Sequence, residues 1–168
     1  MTADEFTVEL LTTLVVNAAD EETALSSCAR LPQLTGSRIV QSADCSDEEP
    51  GCRSVTLAGS VSVPGEGNHS AVLSRTVRTL LRALGPGFTG ARVCCEPPSA
   101  WAVVDDPEVV GTLVVGGERA LVEAWLTRAG TDRAESAASP SAAGPLTVSP
   151  PGPEGTGPPG GGGTRPRS

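Results

Sequence analysis

The sequence predicts an α+β domain in which an antiparallel sheet carries helices on one face. Residues 6–16 and 54–63 alternate between apolar and more polar side chains, as strands with one buried face do. Residues 68–84 instead repeat leucine and valine at helical spacing, with arginines on the opposite side, which is the pattern of an amphipathic helix. Strands and helices that follow each other in this way are typical of the α+β class.

The N-terminal part predicts a strand, a helix and a hairpin. Residues 6–16 form the first strand because of their period of two. The helix that follows begins at Asn17, whose side chain can cap it, and ends at Pro32, since proline cannot continue a helix. Two further strands, 37–43 and 53–63, are separated by a polar turn, so we expect them to pair as a hairpin.

The long helix 68–84 is the clearest element of the sequence. Asn68 caps its start, and Gly85 followed by proline ends it. A short strand, 91–95, comes next and is interrupted by two prolines, and residues 100–104 can resume it after the break.

The segments after this strand predict mostly helix. Residues 107–115 are ambiguous, because their valines and threonine favour a strand while Asp106 and Pro107 are typical of a helix start. We predict a helix there. Residues 118–130 predict a final helix that buries leucine, valine and tryptophan.

The order β-α-β-β-α-β resembles the ferredoxin-like (split βαβ) superfold, a four-stranded antiparallel sheet with both helices on one face. The resemblance is one of topology, covers residues 5–96, and comes with no signature motif of a named family. This superfold includes ACT-type ligand sensors, RNA-binding modules, metal carriers and enzymes, so the resemblance does not indicate one function.

We therefore predict one domain over residues 1–130, made of a ferredoxin-like core and a mostly helical extension at 97–130. Residues 131–168 are almost wholly Gly, Pro, Ala, Ser and Thr, and this composition predicts a disordered tail.

The charge and composition of the chain restrict the classes of partner that we expect it to bind. The formal net charge of −8 disfavours nucleic acid and anionic membranes and favours neutral or basic partners. The chain begins with acidic residues and contains no apolar run of roughly 20 residues. We therefore predict a cytoplasmic protein that does not enter a membrane, and its five cysteines argue against a disulfide framework.

The cysteines do not form a recognisable metal site. Cys94 and Cys95 are adjacent on a predicted strand, so their thiols should point to opposite faces and pack, with a redox or metal role as the alternative. Cys45 and Cys52 flank the turn of the predicted hairpin and are candidates for a conditional disulfide or half a zinc site. Because no further ligand stands at a suitable spacing, we predict no metal and no cofactor.

Two sets of polar residues are candidate sites. A small ligand could bind near the starts of the two predicted helices, at Asn17, Asn68 and His69. The helix dipole would keep His69 neutral, but no nucleophile motif accompanies it, so we predict no catalytic residue. An interaction surface is predicted on one side of the long helix, although a solvated helix face is the commoner explanation of such a pattern. It consists of Arg75, Arg78 and Arg82, which could pair with acidic residues of the first half of the chain or of a second subunit.

These observations favour a non-catalytic protein-interaction or regulatory module, which could form a homodimer or bind a protein partner. The alternative is an ACT-like domain that senses a small ligand. An enzyme that depends on metal or thiol chemistry has the least support.

Overall fold

The computed structural model describes residues 5–65 and 67–128. The predicted disordered tail at 131–168 lies outside the described residues. The described part contains six strands, four α-helices and one 3₁₀ turn, Pro86–Phe88. In chain order the strands and α-helices are β1 (Glu5–Asn17), α1 (Glu21–Ser27), α2 (Leu31–Thr35), β2 (Arg38–Asp44), β3 (Cys52–Pro64), α3 (His69–Leu84), β4 (Val93–Glu96), β5 (Ser99–Val104), α4 (Pro107–Leu113) and β6 (Gly117–Arg128).

All six strands belong to one sheet of order β2-β3-β1-β6-β5-β4, and every neighbouring pair is antiparallel. The α+β class is therefore confirmed. The four-stranded ferredoxin-like sheet over residues 5–96 is not confirmed, because the sheet has six strands in a different order. β4 and β5 form a hairpin of their own at one edge. β6, which pairs with β1 on the side away from β3, comes from the predicted extension.

The prediction of a final helix at 118–130 is wrong, since residues 117–128 form β6. Leu121, Val122 and Trp125 fit a helical spacing, but Ala120, Val122 and Ala124 also repeat with a period of two and are buried. One edge of β1 needs hydrogen-bond partners, and β6 provides them from Phe6 to Val16. Tertiary pairing therefore overrides the local pattern.

The first helix also begins later than predicted. β1 continues through Asn17, and the cap of α1 is Asp20, whose carboxylate accepts a hydrogen bond from the Thr23 N–H at 2.7 Å. Pro32 does not end this helix but lies in the first turn of α2, where its missing N–H costs nothing. Asn17 instead donates its backbone N–H to the Gly116 carbonyl at 2.7 Å.

Several predicted elements are confirmed. β2 and β3 pair as the expected hairpin, and α3 begins after the Asn68 cap and ends before Gly85. α4 confirms the helical interpretation of residues 107–115 for Pro107–Leu113, with Asp106 as its cap.

The hydrophobic core lies between the helices and one face of the sheet. The core face of β1 carries its even-numbered residues, including Val8, Leu14 and Val16, which are fully buried. α1, α2, α3 and α4 all contribute side chains to this core. Along the described residues, no helix is both long and apolar enough to span a bilayer, and the cytoplasmic location stays a prediction.

Candidate functional site

The second face of the sheet carries an apolar patch that is separate from the core. Side chains of neighbouring strand residues point to opposite faces, so the residues between the core positions of β1, β5 and β6 share this open face. Both tryptophans of the chain are among them. The open-face patch consists of Leu11, Val15, Trp101, Val103, Leu121 and Trp125, and none of the six belongs to the buried core.

The strand register makes this patch continuous. Glu123 lies between Leu11 on β1 and Trp101 on β5. One row further along the strands, Leu121 lies opposite Val103, whose side chain is 48% exposed. The other patch residues are diagonal neighbours, as Trp101 is of Leu121 and Trp125, and at about 7–8 Å such neighbours are within reach of aromatic and long side chains. The patch is therefore joined diagonally around Glu123.

Hydroxyl groups and carboxylates surround the patch. The Thr13 and Thr56 hydroxyls are 3.3 Å apart across β1 and β3. Glu9 lies opposite Trp125, and Glu123 lies within the patch. The open face therefore carries apolar side chains on β1, β6 and β5 that alternate with the carboxylates of Glu9 and Glu123, with hydroxyls toward β3.

An ion-pair network closes one end of this face. The Arg119 guanidinium lies 2.8 Å from a Glu49 carboxylate oxygen and donates from Nε to Asp105 Oδ1 at 3.1 Å. The hydrogen bond to Asp105, together with the charges of Asp105 and Glu49, raises the pKa of Arg119. These contacts join the turn before β3 to the start of α4 and to β6.

The predicted ligand-site residues lie at opposite ends of β1. Asn17 is the last residue of the strand, whereas the His69 ring packs edge-on against Phe6, with 5.1 Å between ring centroids. Asn17 lies eleven positions after Phe6, which corresponds to about 36 Å of extended strand. A single small ligand cannot contact both ends, and Asn68 is occupied in capping α3 through the Ser70 N–H at 3.0 Å.

The predicted arginine surface is exposed along α3. This helix contains no acidic residue. Within residues 5–65 and 67–128, no carboxylate forms an ion pair with its three arginines. Arg75 borders a groove, described below, which Arg78 and Arg82 do not line.

Cys94 and Cys95 lie on opposite faces of the sheet, as their adjacent positions predict. Cys95 packs beside the core and its thiol lies 3.6 Å from the Ser70 carbonyl oxygen, whereas Cys94 is paired with Trp101 on the open face. The Cys45 N–H donates to the Cys52 carbonyl at 3.2 Å, so these residues lie across the hairpin, and both thiols are free. Burial, followed by the charge of Glu49, raises the pKa of both thiols.

A groove on the helical side was not anticipated from the sequence. It has a volume of about 480 Å³ and lies between α2, α3 and the underlying strands, with Leu10 and Leu80 among its lining residues. We call it the α3 groove. Leu34 and Val61 also line it and remain 45% and 44% exposed. They are distant in sequence, so only the tertiary structure reveals that they share a surface.

The open-face patch was not anticipated either, because the alternation of residues 6–16 predicts a single buried face and residues 118–130 predict a helix. The available signal was the second alternating set in β6, in which large side chains occupy the positions between the buried alanines.

Comparison with protein-family models, curated proteins and solved structures found no significant match to this chain. Within the described residues, no group of three or more His, Cys, Asp or Glu side chains is arranged to hold a metal ion.

Proposed function

We propose that this protein is a self-associating interaction module, in which the open face of the sheet packs against the open face of a second copy. The observation that carries the proposal is the open-face patch, with both tryptophans of the chain outside the core. Tryptophan is enriched at protein interfaces and is frequent among the residues that dominate binding energy. Apolar patches of this kind are uncommon on surfaces that stay in water.

The dimensions of the face suit a dimer. Six strands spaced by about 4.8 Å span about 24 Å, and the paired length of β1 and β6 adds about 30 Å in the other direction. The resulting footprint of roughly 700 Å² is close to the ~800 Å² that each partner contributes to a standard interface. Antiparallel sheets pack face to face in this way in β-sandwiches.

The position of the β4–β5 hairpin in the sheet supports the same proposal. We interpret β2-β3-β1-β6 as a ferredoxin-like core and the β4–β5 hairpin as an addition beyond β6. This hairpin contributes Trp101 and Val103, so the addition widens the apolar part of the open face.

Two valine substitutions with the same chemistry test the proposal. Val103 lies on the open face, whereas Val115 is 81% exposed and lies in the turn between α4 and β6, outside the strands. We expect the wild type and Val115→Glu to form dimers in sedimentation velocity or light scattering. Val103→Glu should weaken the dimer by about 100-fold or more, because it adds a second carboxylate diagonal to Glu123 and an uncompensated interfacial charge costs about 3 kcal/mol.

Intrinsic fluorescence provides a second measurement, because both tryptophans lie on the proposed interface. Their emission should shift to shorter wavelength as the protein concentration rises, with the same midpoint as the mass measurement. A wild type that stays monomeric at roughly 100 μM, where micromolar complexes are largely formed, would overturn the proposal. Equal association of the two glutamate variants would also overturn it.

A further inference from the structure

We propose that the α3 groove binds a small amphipathic carboxylate, with its apolar body against the groove wall and its anionic group at Arg75. This site is on the helical side of the sheet and is independent of the open face. It also differs from the ligand site predicted at Asn17, Asn68 and His69.

The size and composition of the groove fit a small ligand. Its volume of about 480 Å³ lies within the 300–1,000 Å³ that is usual for small-molecule sites. A hollow of about 30 Å³, lined by the buried Thr12, adjoins it and shares Leu10 and Leu80 with it. The volume of this hollow is about that of one water molecule, and it deepens the groove.

Two of the three threonines that line the groove leave little polarity for ligand recognition. The Thr35 hydroxyl donates to the Leu31 carbonyl at 2.8 Å, and the Thr76 hydroxyl donates to the Val72 carbonyl at 2.9 Å. Both hydroxyl protons are therefore used within their own helices. The part of a ligand that lies along these residues should be apolar.

Arg75 provides the charge that selects an anion. It is exposed, lines the groove, and none of the other lining residues is charged. α3 contributes three arginines and no acid, so the potential along this helix is positive although the whole chain has a formal charge of −8. A planar guanidinium matches a carboxylate through two parallel hydrogen bonds.

The position of Arg75 also sets the ligand's length. Ala83 lines the same wall eight residues further along α3, which corresponds to about 12 Å of helix. This distance accommodates a medium-length alkyl chain whose carboxylate is at Arg75 and whose other end is near Ala83.

Three probes with the same chain length test the charge requirement. Decanoate, decanol and decylamine, each below its micellar concentration, are titrated into the full chain by calorimetry. We expect decanoate to bind about tenfold or more tightly than decanol, as for a hydrogen bond to a charged group, and decylamine to bind least. Equal binding of the three probes, or no binding of decanoate, would overturn the proposal.

Two arginine variants locate the anion. Arg75→Gln should weaken decanoate binding by about tenfold or more and leave decanol binding unchanged, whereas Arg78→Gln, on the same helix but outside the groove, should behave as wild type. Both side chains are exposed, so unfolding is not expected, and circular dichroism checks this. An equal effect of the two variants would overturn the assignment to Arg75.

Amide chemical shifts and a filling variant locate the apolar body. Decanoate should perturb Gly36 and Thr79 and should not bind to Ala83→Leu, which places a larger side chain in the groove. Perturbations centred on Asn17 or His69 would overturn the groove in favour of the other predicted site. Because the tryptophans lie on the opposite face, ligand binding should leave their emission unchanged, so this test and the dimer test can fail separately.

Discussion

Replacing Gly116 with alanine tests the contact between the turn after α4 and the end of β1. Gly116 has φ +77°, and an added Cβ would lie 2.5 Å from the Asn17 carbonyl oxygen. The same pair of residues is joined by a hydrogen bond of 2.7 Å from the Asn17 N–H to the Gly116 carbonyl. Alanine therefore meets both an unfavourable backbone conformation and a close contact with backbone atoms.

The cost can be worked out from these two effects. A left-handed backbone costs a non-glycine residue about 1–2 kcal/mol, and moving the Asn17 carbonyl away weakens a hydrogen bond worth about 1 kcal/mol. The lower entropy of the unfolded alanine chain returns about 0.4–1 kcal/mol. We expect Gly116→Ala to lower the free energy of unfolding by about 2 kcal/mol.

Two other glycines separate the contributions. Gly36 has φ +66° with nothing within 4 Å of an added Cβ, and Gly90 has the same open space without a left-handed backbone. Gly36→Ala should lose about 0.5–1 kcal/mol, and Gly90→Ala should be neutral or slightly more stable.

Urea denaturation followed by far-ultraviolet circular dichroism measures all three variants. With a slope of ~2 kcal/mol/M, a loss of 2 kcal/mol lowers the midpoint by about 1 M. If Gly116→Ala is no less stable than Gly36→Ala, the Asn17 carbonyl does not lie against Gly116. That result would refute the placement of the turn before β6 against the end of β1.

Three further predictions concern a buried hydroxyl, a helix cap and a thiol. Ser42→Ala should raise the free energy of unfolding by about 1 kcal/mol in urea denaturation, because the Ser42 Oγ is buried without a hydrogen-bond partner; a loss of stability would contradict this. The hydrogen bonds from Thr23 lower the pKa of Asp20 below its ordinary 3.8, so Asp20 stabilises the fold above that value and loses this effect as pH falls through the lower folded pKa. The stability gap between wild type and Asp20→Ala should therefore narrow in acid, and a gap independent of pH would be evidence against the cap. Glu49→Gln should accelerate alkylation of Cys45, measured by mass spectrometry near neutral pH, because the carboxylate contributes after burial to the raised pKa of this thiol; an unchanged rate would show that burial alone protects it.

Local patterns were sufficient for the elements whose side chains meet one environment along their whole length. α3 has a single apolar side and clear signals at Asn68 and Gly85, so its bounds followed from the sequence. The β2–β3 hairpin followed from two alternating stretches around a polar turn.

The order of the strands and the strand conformation of residues 117–128 could not be predicted from short stretches of sequence, because both depend on contacts between distant residues. Residues 117–128 satisfy both a helical and an alternating pattern, and only the free edge of β1 decides between them. The α3 groove depends on Leu34 and Val61, which come from elements joined by no local pattern. The arginine pattern of α3 did predict Arg75 as a surface residue, but not that it borders an apolar groove.

The two central strands of the sheet are the first and the last strands of the described residues. During synthesis, β1 must therefore wait until residue 128 has left the ribosome before its second neighbour can pair, and the β4–β5 hairpin has no sheet to join until then. Contacts between such distant segments slow folding. A nascent chain halted before β6 exposes an unpaired strand edge that invites aggregation, so the sheet should be completed only after β6 has been synthesised.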